Sequence, residues 1–269
     1  MTPENISSFA FLVAGGMLAA LAATRLDEVS WRYVRLVAAL VIAVACSMLA
    51  WAAWRAGSDL RVWLQTRQVL GGLTGLAAIA LLFGAPLVLR AARAWRVHCA
   101  VGGLSGVAAA VAWFIHGQPA ILESPLRVAT LLLSQLSAAA LLGTVTATWL
   151  LGHAYLTATA MTVAPLRKLS RLFMAAAILR AAVAALGLGG YYVSAAPPVQ
   201  NLLMTDWVAL VLRVVVGLLA VGVFAWMVLG CVRWRNTQSA TGILYFASVF
   251  VYTGELAGYY ITGTTGWPV

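Results

Sequence analysis

Eight uninterrupted apolar runs, each near the length that crosses a lipid bilayer, constrain this chain more than any other feature. They are Ser8–Thr24, Tyr33–Trp54, Val69–Leu89, Val97–His116, Val128–Leu156, Leu172–Val193, Trp207–Val232 and Thr241–Ile261. The hydrocarbon core of a bilayer is crossed by about 20 helical residues. These runs are continuously apolar rather than alternating, which predicts helices and not barrel strands. The chain is therefore read as an all-α integral membrane protein, a bundle of about eight transmembrane helices. Residues 1–269 form one polytopic domain with no soluble domain. The first run is short, and the fifth is long enough to tilt or to project from the membrane. Met1–Asn5 carries an acid and no base, which predicts a retained first helix rather than a secretory signal.

Only 9% of the residues are charged, against about 25% in a soluble domain. Too few charges remain to build a water-facing surface, so lipid is the solvent for most of the chain. The net charge of +10 does not point to nucleic acid, because the basic residues lie in twos and threes between the apolar runs. That pattern fits orientation signals and lipid headgroups. Arg25, Arg32, Arg35, Arg90, Arg93, Arg96, Arg167, Lys168, Arg171, Arg233 and Arg235 fall in the loops after runs one, three, five and seven. Arg55, Arg61, Arg67 and Arg127 fall on the opposite side. The positive-inside rule then predicts a bacterial cytoplasmic (inner) membrane protein with both termini outside the cytoplasm. Trp31, Trp51, Trp54, Trp63, Trp95, Trp149, Trp207, Trp234 and Trp267 sit near run ends, as interfacial aromatics do.

Cys46, Cys99 and Cys231 lie singly inside apolar runs. They match no zinc, iron–sulfur or dithiol spacing, so no metal site is predicted and they read as small core residues. Two similar segments, Gly71–Ala78 and Gly102–Ala109, each contain a Gly-x-x-x-Gly pair that permits close helix approach. They lie on antiparallel helices near opposite faces and are expected to form two separate seams that do not touch. Gly187, Gly189 and Gly190 are a candidate helix break. The segment Thr157–Lys168 is expected to lie on the membrane surface or to form a docking contact.

Ionisable groups inside a membrane are expensive and read first as functional. Arg180, Arg213 and Glu255 are the intramembrane examples. By helical rise, Arg213 lies ~10 Å and Glu255 ~10–12 Å below the same face on consecutive helices, which predicts a buried pair. Such a pair either fixes helix register or supplies a proton-exchanging carboxylate beside a quinone or an ion path. Arg180 has no acidic partner by this count and is expected to snorkel or to meet another chain. His98 and His153 lie at similar depth on consecutive helices and are candidate ligands of a b-type haem. His153 with Tyr155 is a candidate for holding a quinone carbonyl. His116 closes the fourth run at the outer face.

The segment Phe246–Tyr259, with Gly254-Glu255-Leu256-Ala257-Gly258, resembles the final helix of the membrane-anchor subunits of polysulfide and dimethyl-sulfoxide reductases. In that family a Gly-Glu-Leu-x-Gly-Arg element ends an eight-helix chain with both termini outside. The resemblance implies electron exchange between membrane quinone and an iron–sulfur partner subunit, with no haem in typical members. Tyr259 stands where the family has Arg, so Glu255 alone carries over, as a candidate near a quinone. The expected function is a membrane-anchor subunit of a multi-subunit redox complex, partnered by other subunits and by lipid. A cofactor-free structural subunit and a small-solute or ion transporter are the alternatives.

Overall fold

A computed structural model describes residues 2–56, 65–83, 92–157, 162–194 and 206–269. Eight helices long and apolar enough to cross a membrane follow one another: α1 Pro3–Ala22, α2 Trp31–Ala56, α3 Thr66–Phe83, α4 Ala92–Gly117, α5 Pro125–Thr157, α6 Ala164–Ser194, α7 Trp207–Arg233 and α8 Thr237–Thr265. A short 3-10 turn, Pro119–Glu123, joins α4 to α5. The described elements are all helical, and the chain is an all-α multi-pass membrane bundle. Both termini lie at one end, called here the terminal end. The opposite end, where most of the described Lys and Arg outside the helix interiors lie, is the basic end. Arg61, Trp63, Arg90 and most of Thr157–Met161 lie outside the described residues.

Each apolar run became a helix, but the ends moved. α1 begins at Pro3, five residues before its apolar run, with the Thr2 hydroxyl accepting from the Asn5 amide at 3.3 Å. Asn5, Ser7 and Ser8 are buried against protein rather than presented to lipid, so hydropathy alone misses this first turn and a half. α6 begins at Ala164, well before Leu172, because Arg167, Lys168 and Arg171 ride on its leading turns. α5 is 33 residues long, roughly 50 Å at helical rise, longer than the hydrocarbon core. α6 runs unbroken through Gly187, Gly189 and Gly190. A methyl at Gly187 would run into the Pro268 carbonyl and one at Gly190 into the Trp267 ring, so these glycines admit the final residues instead of breaking the helix.

α1 is the axis of the bundle. It packs against α4, α5 and α2, and Phe11, Leu12, Leu18 and Leu21 are wholly buried. Lipid tails are as apolar as leucine, so helices in a bilayer associate by close packing and not by escape from water. Here glycines supply that closeness. A methyl on Gly106 would lie 2.6 Å from Gly15 Cα, and methyls on Gly16 or Gly143 would occupy each other's backbone. α7 meets α8 in the same way at Gly217 and Gly254.

The two Gly-x-x-x-Gly segments depart from expectation. Their hydroxyls meet directly, Thr74 Oγ1 and Ser105 Oγ lying 3.0 Å apart, and a methyl on Gly102 would contact Ala77. Both segments reach the middle of their helices, where antiparallel neighbours cross whatever face each run starts from. The tryptophans also divide. Trp54, Trp207 and Trp234 are exposed as interfacial residues should be, but Trp95 and Trp267 are buried among neighbouring elements.

Candidate functional site

The predicted contact between α7 and α8 is present and belongs to a larger cluster. Arg213 Nη1 donates to Glu255 Oε1 at 2.7 Å, and Arg180 Nη2 donates to Glu255 Oε2 at 2.7 Å. Arg180 Nε donates to both carboxylate oxygens, at 2.9 and 3.1 Å. The expectation that Arg180 lacks an acidic partner is therefore corrected. Its position near the middle of α6, with the reach of a long side chain, brings its guanidinium to the level of Glu255.

Two arginines meet one side-chain carboxylate, and further oxygens surround them. Arg180 Nη1 donates to Ser134 Oγ at 3.0 Å and Ser137 Oγ at 3.3 Å. Arg213 Nη1 donates to the Gly254 carbonyl at 3.2 Å. The Val269 backbone oxygen accepts from Arg180 at 3.2 Å and from Arg213 at 3.3 Å. Charged groups tolerate burial when most of their hydrogen bonds are made; of the two guanidiniums only Arg213 Nε is left without a partner.

Local structure places each guanidinium. Arg213 lies at the start of a π-helical stretch, Leu212–Ala220, inside α7; its wider turns carry Arg213 and Gly217 onto the face of α8. A methyl at Gly258 would lie 3.1 Å from the Arg213 guanidinium, so the glycine of the Gly-Glu-Leu-x-Gly element makes room for that charge.

What this cluster can do is limited by its packing. Each Glu255 oxygen already accepts from arginine donors. The adjacent cavity, between Ser134, Gln135, Arg180 and Tyr259, measures about 10 Å³, the room of one water molecule. A quinone ring does not fit there. Tyr259 ties α8 to α5 and α1: its hydroxyl donates to Gln135 Oε1 at 2.9 Å and meets Ser8 Oγ at 2.9 Å. Tyr259→Phe leaves Gln135 and Ser8 without that partner, and a loss of about 1–3 kcal/mol is expected, read as a lowered unfolding midpoint in mixed micelles.

The histidine candidates are not brought together. His98 Nε2 lies 3.0 Å from the Ala77 carbonyl on α3. His153 Nδ1 lies 3.1 Å from the Tyr245 hydroxyl on α8, and the side chain is exposed. Tyr155 donates to the Thr162 carbonyl instead of joining His153. Each ring is thus engaged with a different neighbour.

A second polar site emerges at the terminal end, from residues of α1, α2, α3 and α4. A cleft of about 240 Å³ is lined by Glu4, Ala52, Arg55, Arg67, Gln68, Trp113 and His116. It adjoins a more open groove of about 570 Å³ along Gln65, Thr66, Ala112 and Ile115, and the two share Arg67 and His116. Arg55 donates to Glu4 at 3.1 Å, and the Arg67 guanidinium stands 4.7 Å over the Trp113 ring. Trp113 is 6% exposed, and its indole N–H has no hydrogen-bond partner. A buried donor left without an acceptor costs roughly 1–3 kcal/mol unless something fills its site.

Sequence reasoning placed His116 at this face and stopped there. Trp113 and His116 lie three apart on one face of α4, a signal available in the sequence. That Glu4 and Arg67 join them depends on which helices are neighbours. No family model, no curated protein and no solved structure matches the chain.

Proposed function

We propose that the chain is a membrane-anchor subunit of a quinone-linked redox complex in the bacterial inner membrane, and that the terminal-end cleft receives the quinone headgroup. The observation that carries this reading is the cleft itself, which the Trp113 ring lines together with an imidazole, a carboxylate and two guanidiniums. A quinone carbonyl is an acceptor suited to the Arg67 guanidinium, which lines the cleft. A quinol hydroxyl finds acceptors in His116 and Glu4. The adjoining groove gives the rest of an amphipathic molecule a path along α3 and α4. Oxidation of a quinol releases protons and electrons together; His116 and Glu4 are placed to take the protons. The electrons require a one-electron acceptor, assigned here to an iron–sulfur partner subunit. With the termini outside the cytoplasm, those protons leave on the outer side.

Arg67→Gln removes the charged donor that lines the cleft and keeps a polar side chain there. Short-chain quinone binding to the protein in nanodiscs, followed by equilibrium dialysis, is expected to weaken about 3–10-fold, the worth of one hydrogen bond. Unchanged affinity, or no binding by the wild type, defeats the quinone reading. The remaining reading is then a cofactor-free structural subunit, for which the sealed Arg180–Glu255–Arg213 cluster speaks.

A further inference from the structure

At the basic end, α7 closes in a way that its sequence makes costly. The Arg235 N–H donates to the Val232 carbonyl at 3.2 Å and the Asn236 N–H to the Cys231 carbonyl at 2.9 Å, the paired bonds of a Schellman turn. Such a turn puts one residue in the left-handed region, where glycine is the usual choice. That residue is Arg235, at φ 56°, the one non-glycine with positive φ among the described residues. A side chain kept at a strained position points to a use for that side chain.

A groove of about 330 Å³ runs along the same turns of α7, lined by Trp226, Met227, Leu229, Gly230, Arg233 and Trp234. Trp226, Gly230 and Trp234 are four residues apart and share one helix face. The two rings, 71% and 82% exposed, therefore stand as walls one turn above and one turn below a floor without a side chain. Gly217, on the same helix, is a glycine because α8 presses on it, whereas a methyl on Gly230 would meet nothing within 4 Å. Gly230 thus opens the groove outward. Trp226 lies roughly 10 Å deeper than Arg233 at helical rise, below the headgroup level that interfacial tryptophans occupy. Among the described residues the carboxylates of the basic end are Asp27 and Glu28, and both lie against Arg25. Arg233 and Arg235 are exposed, and no carboxylate of the described residues pairs with them.

We propose that this groove seats an anionic phospholipid, with its phosphate on Arg233, Arg235 beside it, and an acyl chain over Gly230 between Trp226 and Trp234. The order of parts along α7 matches that of the lipid. Two cations stand at the headgroup level, where each basic residue attracts anionic lipid. The ester carbonyls beneath the phosphate are acceptors for an indole N–H, and the apolar floor lies deeper. The site does not depend on the quinone reading, since it uses a different helix at the other end of the bundle.

Native mass spectrometry of the full chain, released from nanodiscs of equal phosphatidylglycerol and phosphatidylcholine, tests it. The wild type is expected to retain phosphatidylglycerol about 5-fold or more over phosphatidylcholine. Arg233→Gln/Arg235→Gln is expected to fall to near parity. Gly230→Leu fills the groove, keeps every charge and meets no neighbour that would oppose folding; it is expected to lose the preference as well. Arg32→Gln/Arg35→Gln removes the same charge from the start of α2, at the same end, and is expected to keep it. A wild type without preference overturns the proposal whatever the variants do. A preference that survives Gly230→Leu, or that falls equally in both arginine variants, overturns it too, because diffuse surface charge then suffices. Displacement of phosphatidylglycerol by millimolar inorganic phosphate overturns the lipid assignment and leaves a free-phosphate site.

Discussion

Glu255→Ala is expected to destabilise the bundle by about 3–5 kcal/mol, the cost of leaving buried charge without its partner. Two guanidiniums, each 3% exposed or less, would face each other with no carboxylate side chain between them. Arg180→Met is expected to be milder, since Arg213 and Glu255 still neutralise one another. Replacing all three, as Arg180→Met, Arg213→Met and Glu255→Leu, is expected to recover much of the loss, because an apolar filling needs no counter-charge. Reversible unfolding in mixed micelles orders the four proteins. A Glu255→Ala variant as stable as the wild type would show that the cluster does not hold these helices. Recovery in the triple variant would show that the cluster's role is structural.

The second large effect is expected at the contact of α1 and α5. Gly143→Val forces a branched side chain into the backbone of Gly16, where even a methyl has no room. Overpacking typically costs about 1–3 kcal/mol and more where only backbone can yield. Separation of the two helices should expose the polar face of α1, giving a low folded yield in detergent. Gly222→Ala on α7 supplies the contrast. Nothing lies within 4 Å of a methyl there, and a gain of up to about 1 kcal/mol in helix propensity is expected. A folded yield that falls as far for Gly222→Ala as for Gly143→Val would sink the packing argument.

The fold was largely legible because lipid imposes a simple rule: an apolar run of the right length must become a helix. The rule weakens at the ends. Asn5, Ser7 and Ser8 look unfit for a membrane helix until α4, α5 and α8 surround them, and that enclosure is a tertiary fact. Depth counting found the pairing of Arg213 with Glu255 because consecutive antiparallel helices share a face. It missed Arg180 because depth says nothing about which helix lies opposite, and α6 meets α8 through the centre of the cluster. The terminal-end cleft was illegible for the same reason. Glu4, Arg67 and Trp113 are each unremarkable alone, and they become a site only when α1, α3 and α4 share an end. The histidines mislead in the opposite direction, since similar depth on successive helices did not turn His98 and His153 toward one another.

The central place of α1 also bears on how the bundle is made. Of the eight helices α1 leaves the ribosome first, yet its closest partner glycine, Gly143, follows 127 residues after Gly16. At 5–20 residues per second that interval is roughly 6–25 s. Tyr259, which receives Ser8, comes later still. Within that interval α2 and then α4 emerge to cover part of α1, and its remaining polar surface waits for α5 and α8. The helix that ends up most enclosed is thus covered in stages, by partners that arrive one after another along the chain.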